Sequence, residues 1–351
     1  MQKLTYFLFS CLILTVISCQ TIVEGVDLPY QERLVITSFI SPQDTIIEVK
    51  VSKTTPTTGK FYYNKPREGF DQEGNYLPLE GVTIEMSDGQ RTVNVPLSEI
   101  VYPKNLSPDP KKQGQIEYAK RKGYFLKTKD FPIVAGKSYN LIAKAPNLPT
   151  ATASCNIPLR KLTASDYQIN GGNKIDSILT GSSSIGSTSG VVISSRNYTL
   201  VKPFNVIIKD FASEENFYTI AYYTRRKYEY KDPKDVVTTS IIVNQEPYSD
   251  FISDYKRDGG LLEFIKAKFP VGYYSTNQSQ NSQTPRSITL LINVAVIDKS
   301  YYQYLKAIST SGRIDNDDPF SEPVLTYTNV QGGLGVFAGF NTTAVTIDLV
   351  K

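Results

Sequence analysis

The sequence predicts an all-β protein, with an N-terminal immunoglobulin-like β-sandwich followed by a second β-rich, sandwich-like domain that carries one or two short helices. Three observations support this fold class. Short segments alternate between apolar and polar residues, turn residues such as Asp88-Gly89 separate them, and no helical period appears in the N-terminal part. The length of 351 residues, at about 150 residues per domain, favours two domains.

The N-terminal sandwich is predicted over residues 31–159. Thr45–Val51 shows the alternation of a half-buried strand, because Ile47, Val49 and Val51 fall on one face and charged residues fall on the other. Further strands are expected at Arg33–Phe39, Val82–Met86, Gly123–Thr128, Ser138–Ala145 and Ala151–Ile157.

Asp88-Gly89 predicts a β-hairpin directly after the strand Val82–Met86. A two-residue turn at this dipeptide would place Ile84 opposite Val93 and Val82 opposite Val95. Both strands would then direct their apolar side chains to the same face, as a sandwich core requires.

The C-terminal β-rich domain is predicted over residues 160–351, after the pattern restarts at Pro158. Ile288–Ile297 is apolar on both faces and predicts a central strand, and Asp298 is the expected N-cap of a helix that ends before Gly312. Thr180–Gly190 is rich in Ser and Gly and predicts a mobile loop. Other strands are expected at Val191–Thr199, Phe204–Lys209, Phe217–Arg225, Val236–Asn244, Glu322–Thr328 and Thr343–Val350.

Composition excludes several classes of function. The chain has no His, so neither Ser-His-Asp or Cys-His catalysis nor an imidazole metal ligand is available. The net charge of +4 is too small to indicate a nucleic-acid-binding protein. Asp315-Asn-Asp317-Asp318 departs from a calcium-loop motif at Pro319 and favours an Asp-rich turn. The sequence therefore predicts no cofactor, no metal site and no enzymatic activity.

The amino terminus predicts a lipoprotein signal peptide at residues 1–18 and a lipidated tether at residues 19–30. The apolar run Leu4–Val16 is shorter than the roughly 20 residues that a membrane-spanning helix needs. It leads into Val16-Ile17-Ser18-Cys19, which resembles a lipobox. We expect cleavage before Cys19 and acylation of its thiol and amine, which would anchor the protein in the outer membrane, on either its periplasmic or its surface face.

The other two cysteines predict no disulfide. Cys11 lies in the segment that cleavage would remove, so Cys155 would have no partner. Ala151, Ala153, Cys155 and Ile157 share one face of a predicted strand, which indicates a buried, unreactive thiol.

Aromatic residues are concentrated in two predicted loops, Lys53–Gly81 and Ser98–Lys122, which would emerge at the same end of the sandwich. Loops at one end of a rigid sandwich commonly carry binding function. The alternative is that these side chains pack within their own loops or against the second domain. The first loop holds the candidate partner-facing residues Phe61, Tyr62, Tyr63, Phe70 and Tyr76.

Several segments together resemble a family of Bacteroidota lipoproteins known as a domain of unknown function, often encoded beside TonB-dependent outer-membrane receptors. The resemblance covers nearly the whole mature chain and implies an envelope lipoprotein without assigned catalytic residues. It is carried by the lipobox at Cys19, Leu34–Thr37, Glu80–Val82, Gly136–Tyr139, Asn216–Tyr218, Tyr248–Asp250, Asp258-Gly259, Asp318–Val324 and Asn329–Phe337.

These observations favour a non-enzymatic binding or accessory module, associated with the membrane through its lipid anchor and with a TonB-dependent receptor β-barrel in nutrient uptake. An adhesin or structural envelope module is the alternative, since it needs no pocket. A hydrolase that uses only carboxylates, such as a glycosidase, is a third hypothesis and needs two carboxyl groups roughly 5–10 Å apart in a cleft.

Overall fold

The computed structural model describes residues 31–54, 77–106, 116–171, 176–186, 192–231, 237–276, 286–311 and 327–350. Strands predominate among the described residues, and the helix α1 spans Lys299–Ser311. The strands are β1 Leu34–Ile40, β2 Ile46–Lys53, β3 Thr83–Ser87, β4 Thr92–Asn94, β5 Leu97–Leu106, β6 Ile116–Lys127, β7 Ser138–Lys144, β8 Ala151–Asn156, β9 Tyr167–Gly171, β10 Asp176–Gly186, β11 Val192–Lys209, β12 Phe217–Lys231, β13 Val237–Ser253, β14 Leu261–Thr276, β15 Ser287–Ile297 and β16 Leu334–Val350.

One large sheet organises the molecule. Its eight strands lie in the order β13-β12-β15-β16-β1-β2-β6-β5, and β1 runs parallel to β16 whereas the other neighbours are antiparallel. Two four-stranded sheets accompany it, one with the order β4-β3-β7-β8 and one made of β10, β11, β14 and β9. The predicted all-β, sandwich-like fold class is therefore confirmed.

Two hydrophobic cores form on the same face of the large sheet. In β1 the residues alternate strictly between buried and half-buried, so Leu34, Ile36 and Ile40 enter the first core together with β3, β7 and β8. The even-numbered residues of β15, from Ile288 to Val296, enter the second core with β11, β12 and β14. Each fully buried aliphatic side chain contributes about 1.5–3 kcal/mol, so these alternating faces hold the layers together.

Strand β16 belongs to both cores. Its first half pairs with β1 from Leu334 to Gly339, and its second half pairs with β15 from Phe340 onward. Phe337 is buried in the first core and Leu349 in the second. The predicted domain boundary between residues 159 and 160 stays a prediction, and the C-terminal part contributes a strand to the N-terminal sandwich.

The hairpin at Asp88-Gly89 forms, but with a register different from the predicted one. Met86 pairs with Val93, and the Asp88 amide donates to the Arg91 carbonyl at 3.1 Å, so the two turn residues are Gly89 and Gln90. The predicted pairing of Ile84 with Val93 is therefore wrong by two residues. Because side chains alternate with a period of two, this shift leaves the apolar faces aligned.

Two predicted loops contain strands. The segment Ser98–Lys122, predicted as a loop, includes most of the hairpin β5–β6, whose pairs run from Leu97–Tyr124 to Leu106–Ile116. The segment Thr180–Gly190, predicted as mobile, continues β10 as far as Gly186. The pairing of these strands depends on hydrogen bonds between backbone groups, so polar side chains do not prevent the strands from forming. The aromatic residues Tyr102 and Tyr118 therefore lie on strands rather than in a loop.

The helix α1 begins as predicted. The Tyr301 amide donates to Asp298 Oδ1 at 2.8 Å, which makes Asp298 the N-cap. Tyr301 and Leu305 pack against Phe217, Ala295 and Ile297, whereas Ile308 is 48% exposed. The helix thereby covers one end of the sheet face opposite to the two cores.

The large sheet curls toward the face that carries α1. Its edge strands β5 and β13 approach within 8 Å, although seven strand spacings would separate them by about 34 Å in a flat sheet. Helix α1 also contacts rings on well-separated strands. Tyr301 stacks on Phe39 of β1 at 4.4 Å between centroids, and Tyr302 stacks on Phe217 of β12 at 4.7 Å. We call the face beneath the helix the concave face.

Candidate functional site

The sequence-predicted site residues lie outside the described part of the chain. Cys19 falls within residues 1–30, and Phe61, Tyr62, Tyr63, Phe70 and Tyr76 fall within residues 55–76. Their roles stay predictions. In the part of the chain that the structure describes, no helix combines the length and apolar character that a membrane span requires.

Cys155 has the environment that the sequence predicts. It is 3% exposed, within the first core, and burial raises the pKa of its thiol well above the ordinary value. A thiol held in this neutral form is a poor nucleophile. It therefore packs as a small apolar residue, on the strand face that Ala151 and Ala153 share.

The concave face carries a half-buried acid among tyrosines. Asp44 lies in the turn between β1 and β2, and burial raises its pKa to about 6, against a backbone hydrogen bond from Ser41 that lowers it. Tyr223 of β12 has a raised pKa, first from burial and then from the Asp44 charge. Burial also raises the pKa of Tyr301 to about 12, with additions from Tyr223, Tyr304 and Asp44. These four side chains therefore share one electrostatic environment.

The chemistry of this face differs from that of a core. The carboxyl group and the tyrosine hydroxyls offer hydrogen bonds. The aromatic rings offer flat apolar surfaces, among them the ring of Phe39, whose centroid lies 5.6 Å from that of Tyr304. Further along the sheet, Arg121 pairs with Glu48 at 3.0 Å, which neutralises both charges. Such a surface suits a polar ligand with apolar faces.

A cleft of about 270 Å³ lies where the two sandwiches meet. It is lined by the segment after β8, the β11–β12 connection and the start of α1. Two ion pairs lie among its lining residues, Arg160 with Glu214 at 3.2 Å and Lys299 with Glu215 at 3.1 Å. All four side chains are largely exposed, so each pair contributes at most about 1 kcal/mol.

Beside this cleft lies a cluster of three carboxylates, which we call the acidic corner: Asp210, Asp254 and Asp258. One oxygen from each lies within 4.8 Å of the others. The β11–β12 connection supplies Asp210, and the turn between β13 and β14 supplies the other two. Asn216 lines the cleft, and its side chain also lies beside Asp210.

Hydrogen bonds fix the acidic corner. The Tyr218 hydroxyl donates to Asp210 Oδ1 at 2.6 Å, and the Gly259 amide donates to Asp210 Oδ2 at 2.8 Å. The backbone amide of Asn216 donates to Asp254 Oδ2 at 2.8 Å, and the backbone amide of Ser213 donates to Asp258 Oδ1 at 2.7 Å.

The electrostatics of the corner reflect crowded negative charge. Burial raises the pKa of Asp254 most, and the charges of Asp210, Asp258 and Glu215 raise it further. Burial, followed by the hydrogen bond to Asp210, raises the pKa of Tyr218. Tyr218 therefore stays protonated and remains a hydrogen-bond donor.

Sequence reasoning missed the acidic corner. Asp254 and Asp258 are close in sequence, but Asp210 comes from a connection more than 40 residues earlier. A signal was available, because Asn216–Tyr218 and Asp258-Gly259, two of the segments that carry the family resemblance, meet here.

A third resemblance segment, Asn329–Phe337, has a structural role. Asn329 Oδ1 accepts from the Phe337 amide at 3.0 Å, and its Nδ2 donates to the Phe337 carbonyl at 2.7 Å and to the Ser154 carbonyl at 3.1 Å. The side chain thus joins the start of β16 to β8. Gly333 and Gly335 allow close backbone packing, because an added Cβ would lie 2.7 Å from the Leu34 carbonyl oxygen and 1.9 Å from the Ile36 carbonyl oxygen, respectively.

Comparison with known proteins places the chain in a family. No curated protein matches it. Residues 23–346 match a family of domains, and this match includes the first core, all of the second core before residue 347, the concave face and the acidic corner. Because it extends over most of the 351 residues, the chain belongs to the family described as Domain of unknown function (DUF4249).

Proposed function

We propose that this protein is a lipid-anchored outer-membrane lipoprotein of the Bacteroidota that acts as a non-enzymatic binding or accessory module beside a TonB-dependent receptor. The concave face is the observation that carries the binding role. It presents the carboxyl group of Asp44 together with the hydroxyls of Tyr223, Tyr301 and Tyr304, on the sheet face opposite to the two cores. Hydrogen-bonding groups next to aromatic faces are typical of sites for sugars and peptides.

The anchor would hold this face near the membrane. From Cys19 to Leu34, the first residue of β1, the chain advances 34 − 19 = 15 residues. A fully extended chain covers at most about 3.6 Å per residue, so β1 would begin within about 54 Å of the lipid. This reach is compatible with lateral contact between the folded part and a neighbouring membrane protein.

The proposed partner follows from the resemblance to lipoproteins encoded beside TonB-dependent receptors. A receptor β-barrel in the same membrane would be within reach of an anchored module. Restricting two proteins to one membrane raises their effective concentration, so even a modest interface would hold them together.

Acylation is tested with a pair of cysteine variants. Metabolic labelling with a palmitate analogue should mark the wild type and Cys11→Ala, whose lipobox is intact. Cys19→Ala should carry no label and should leave the membrane fraction or stay unprocessed. Equal labelling of Cys19→Ala and wild type would overturn the anchor.

The accessory role is tested by purification from native membranes. A tagged wild-type chain should recover a β-barrel receptor, and Asp44→Asn should recover less if the concave face takes part. Asp130→Asn, at an exposed carboxylate in the turn after β6, serves as the matched control and should recover the wild-type amount. Recovery of no β-barrel protein by the wild type would overturn the proposed partner.

A further inference from the structure

We propose that the edge of β13 over Val237–Gln245 is a docking site for an extended, acidic segment of another protein, which would add to the large sheet as a further strand. The proposal is independent of the lipid anchor, of the receptor and of a ligand on the concave face.

Strand β13 is an edge of the large sheet. It pairs with β12, and the sheet order gives it no second neighbour in the described part of the chain. From Val237 to Gln245 its pairs with β12 run without a register shift. In an antiparallel pair, alternate residues of an edge strand direct their backbone N–H and C=O groups away from the partner strand. This edge, roughly 30 Å long at about 3.4 Å per residue, can therefore form a ladder with another strand.

The sequence of this edge lacks the features that usually block strand addition. Val237–Gln245 reads VTTSIIVNQ, without a charged residue, proline or glycine, and six of its nine residues are β-branched. Uncharged segments of high β-propensity readily recruit further strands. The adjoining part of β13 differs, because its register with β12 shifts between Ala221 and Tyr223 and Pro247, which has no N–H, lies within the shift. The open edge thus ends at Gln245.

The opposite edge strand of the same sheet, β5, is blocked. Its sequence contains Glu99, Pro103 and Lys104, and its register with β6 shifts after Pro103. Charges, proline and bulges are the usual means by which proteins prevent pairing at an edge. One edge of the sheet therefore carries these features, whereas the edge at Val237–Gln245 does not, and a partner strand would explain the difference.

Part of the open edge is exposed to solvent. Strand β5 approaches β13 but does not pair with it. Ile241 is nevertheless 49% exposed and Val243 is 52% exposed. Because the two residues are two positions apart, their side chains lie on the same face of the sheet. They would pack against the apolar side chains of an added strand, as cross-strand neighbours do.

The neighbouring strand β12 favours an acidic occupant. Arg225 pairs with Val243, and Lys227 pairs with Ile241, so two cations lie directly opposite the two exposed apolar residues. An added strand would lie two strand spacings from β12, about 10 Å, which is close to the Debye length in physiological salt. Carboxylates at alternate positions of that strand would lie on the same face as both cations.

The positive charge of this region is only partly neutralised. Lys227 at 3.0 Å and Arg286 at 3.2 Å share the carboxylate of Glu229. Arg225 is exposed. Pairing two copies of this chain through β13 would bring two such groups of cations together, and like charges repel across an interface. An acidic segment of another protein therefore fits this edge better than a second copy does.

The experiment uses the purified full chain in detergent. The probe is a fluorescent peptide in which Val and Glu alternate, long enough to span Val237–Gln245. Fluorescence anisotropy should show saturable binding of one peptide per chain. The same peptide with every backbone nitrogen methylated should not bind, because it cannot donate hydrogen bonds to the edge. A peptide in which Val and Lys alternate should bind at least tenfold more weakly.

Val243→Glu and Val101→Glu form a matched pair of variants. Each places the same negative charge at an exposed valine of an edge strand, since Val243 is 52% exposed and Val101 of β5 is 62% exposed. Val243→Glu should weaken binding of the Val/Glu peptide at least tenfold, and Val101→Glu should bind it like the wild type. Both variants should melt close to the wild type, because exposed side chains contribute little to stability.

Hydrogen exchange locates the bound peptide. With the Val/Glu peptide present, the amides of Val237–Gln245 should exchange more slowly, and those of β5 should exchange at an unchanged rate. Protection of β5 without protection of β13 would place the peptide elsewhere and overturn the site.

Further results would also overturn the proposal. No binding of the Val/Glu peptide, equal binding of its methylated form, or unchanged affinity in Val243→Glu would each exclude strand addition at this edge. Equal binding of the Val/Lys peptide would exclude an acidic occupant. A wild-type dimer in analytical ultracentrifugation that Val243→Glu dissociates would assign the edge to a second copy of this chain instead.

Discussion

Gly335 lies so close to Ile36, its partner in the parallel pair of β16 and β1, that a Cβ atom on Gly335 would be 1.9 Å from the Ile36 carbonyl oxygen. The φ angle of Gly335 is also +104°, a conformation that L-residues rarely adopt. Two independent constraints therefore require glycine at this position, in the middle of the large sheet.

Replacing Gly335 should destabilise the protein strongly. We expect Gly335→Ala to lower the free energy of unfolding by about 3 kcal/mol or more, because backbone strain and overpacking each cost about 1–3 kcal/mol. Gly81→Ala is the control, since Gly81 has φ +75° but nothing within 4 Å of an added Cβ. It should lose only about 1 kcal/mol in the same denaturant titration. Equal losses would show that the contact with β1 is unimportant.

The hairpin turn gives a second test of stability. Gly89 has φ +87° in open space, so Gly89→Val should destabilise by about 1 kcal/mol or more through backbone strain alone. The neighbouring turn residue Gln90 has no positive φ, and Gln90→Val should be nearly neutral. A neutral Gly89→Val in a urea melt would contradict the turn geometry.

The buried carboxyl group of Asp298 should make the stability of the folded protein depend on pH. Burial raises its pKa to about 6, against backbone hydrogen bonds from Tyr301, Gly339, Asn156 and Ser300, whereas an unfolded chain has a value near 3.9. Between these values the folded protein binds more protons, so stability falls as the pH rises from about 4 to about 6.

The free energy of unfolding should change by up to about 3 kcal/mol, because a shift of one pKa unit corresponds to about 1.4 kcal/mol. Asp298→Asn keeps a capping side chain and removes the titration, so its stability should change less between pH 4 and pH 7 than that of the wild type. Denaturant titrations at the two pH values measure the difference. Parallel changes in both proteins would assign the pH dependence to other groups, such as Asp44.

The aromatic residues of the segment Lys53–Gly81 give a test of partner binding. If Phe61, Tyr62 and Tyr63 form the partner-facing surface, changing all three to Ala should leave thermal stability within about 1 kcal/mol and strongly reduce recovery of the receptor. If the three aromatic side chains pack against the rest of the protein instead, the triple variant should have a lower melting temperature. A stable triple variant with full recovery would refute the loop proposal.

Sequence patterns predicted the local elements well. The alternation in β1 and β2 and the continuous apolar run of β15 follow from side-chain burial, and the Asp298 cap follows from one local hydrogen bond. The hairpin β5–β6 was missed because Pro103 and the charged run Lys120–Lys122 interrupt its apolar pattern, while its ladder depends on backbone pairing. Local patterns indicate which face of a strand is buried, but they do not indicate how far a strand extends into a polar segment of the sequence.

Contacts between distant segments were beyond prediction. Nothing near Leu34 indicates that its strand pairs with residues about 300 positions later, and nothing near Asp210 points to Asp254. The acidic corner depends on two connections brought together by β11, β12, β13 and β14. Its chemistry therefore appears only once the sheets are assembled.

The position of β16 also determines the order in which the protein can fold. Strand β1 pairs in parallel with the first half of β16, so one neighbour of β1 is missing until the chain has been made as far as Gly339. Pairings of such long sequence separation close slowly, because loop entropy is lost before contacts form. The growing chain would thus lack this pairing during synthesis, and β16 would join the two cores only after nearly the whole chain has been made.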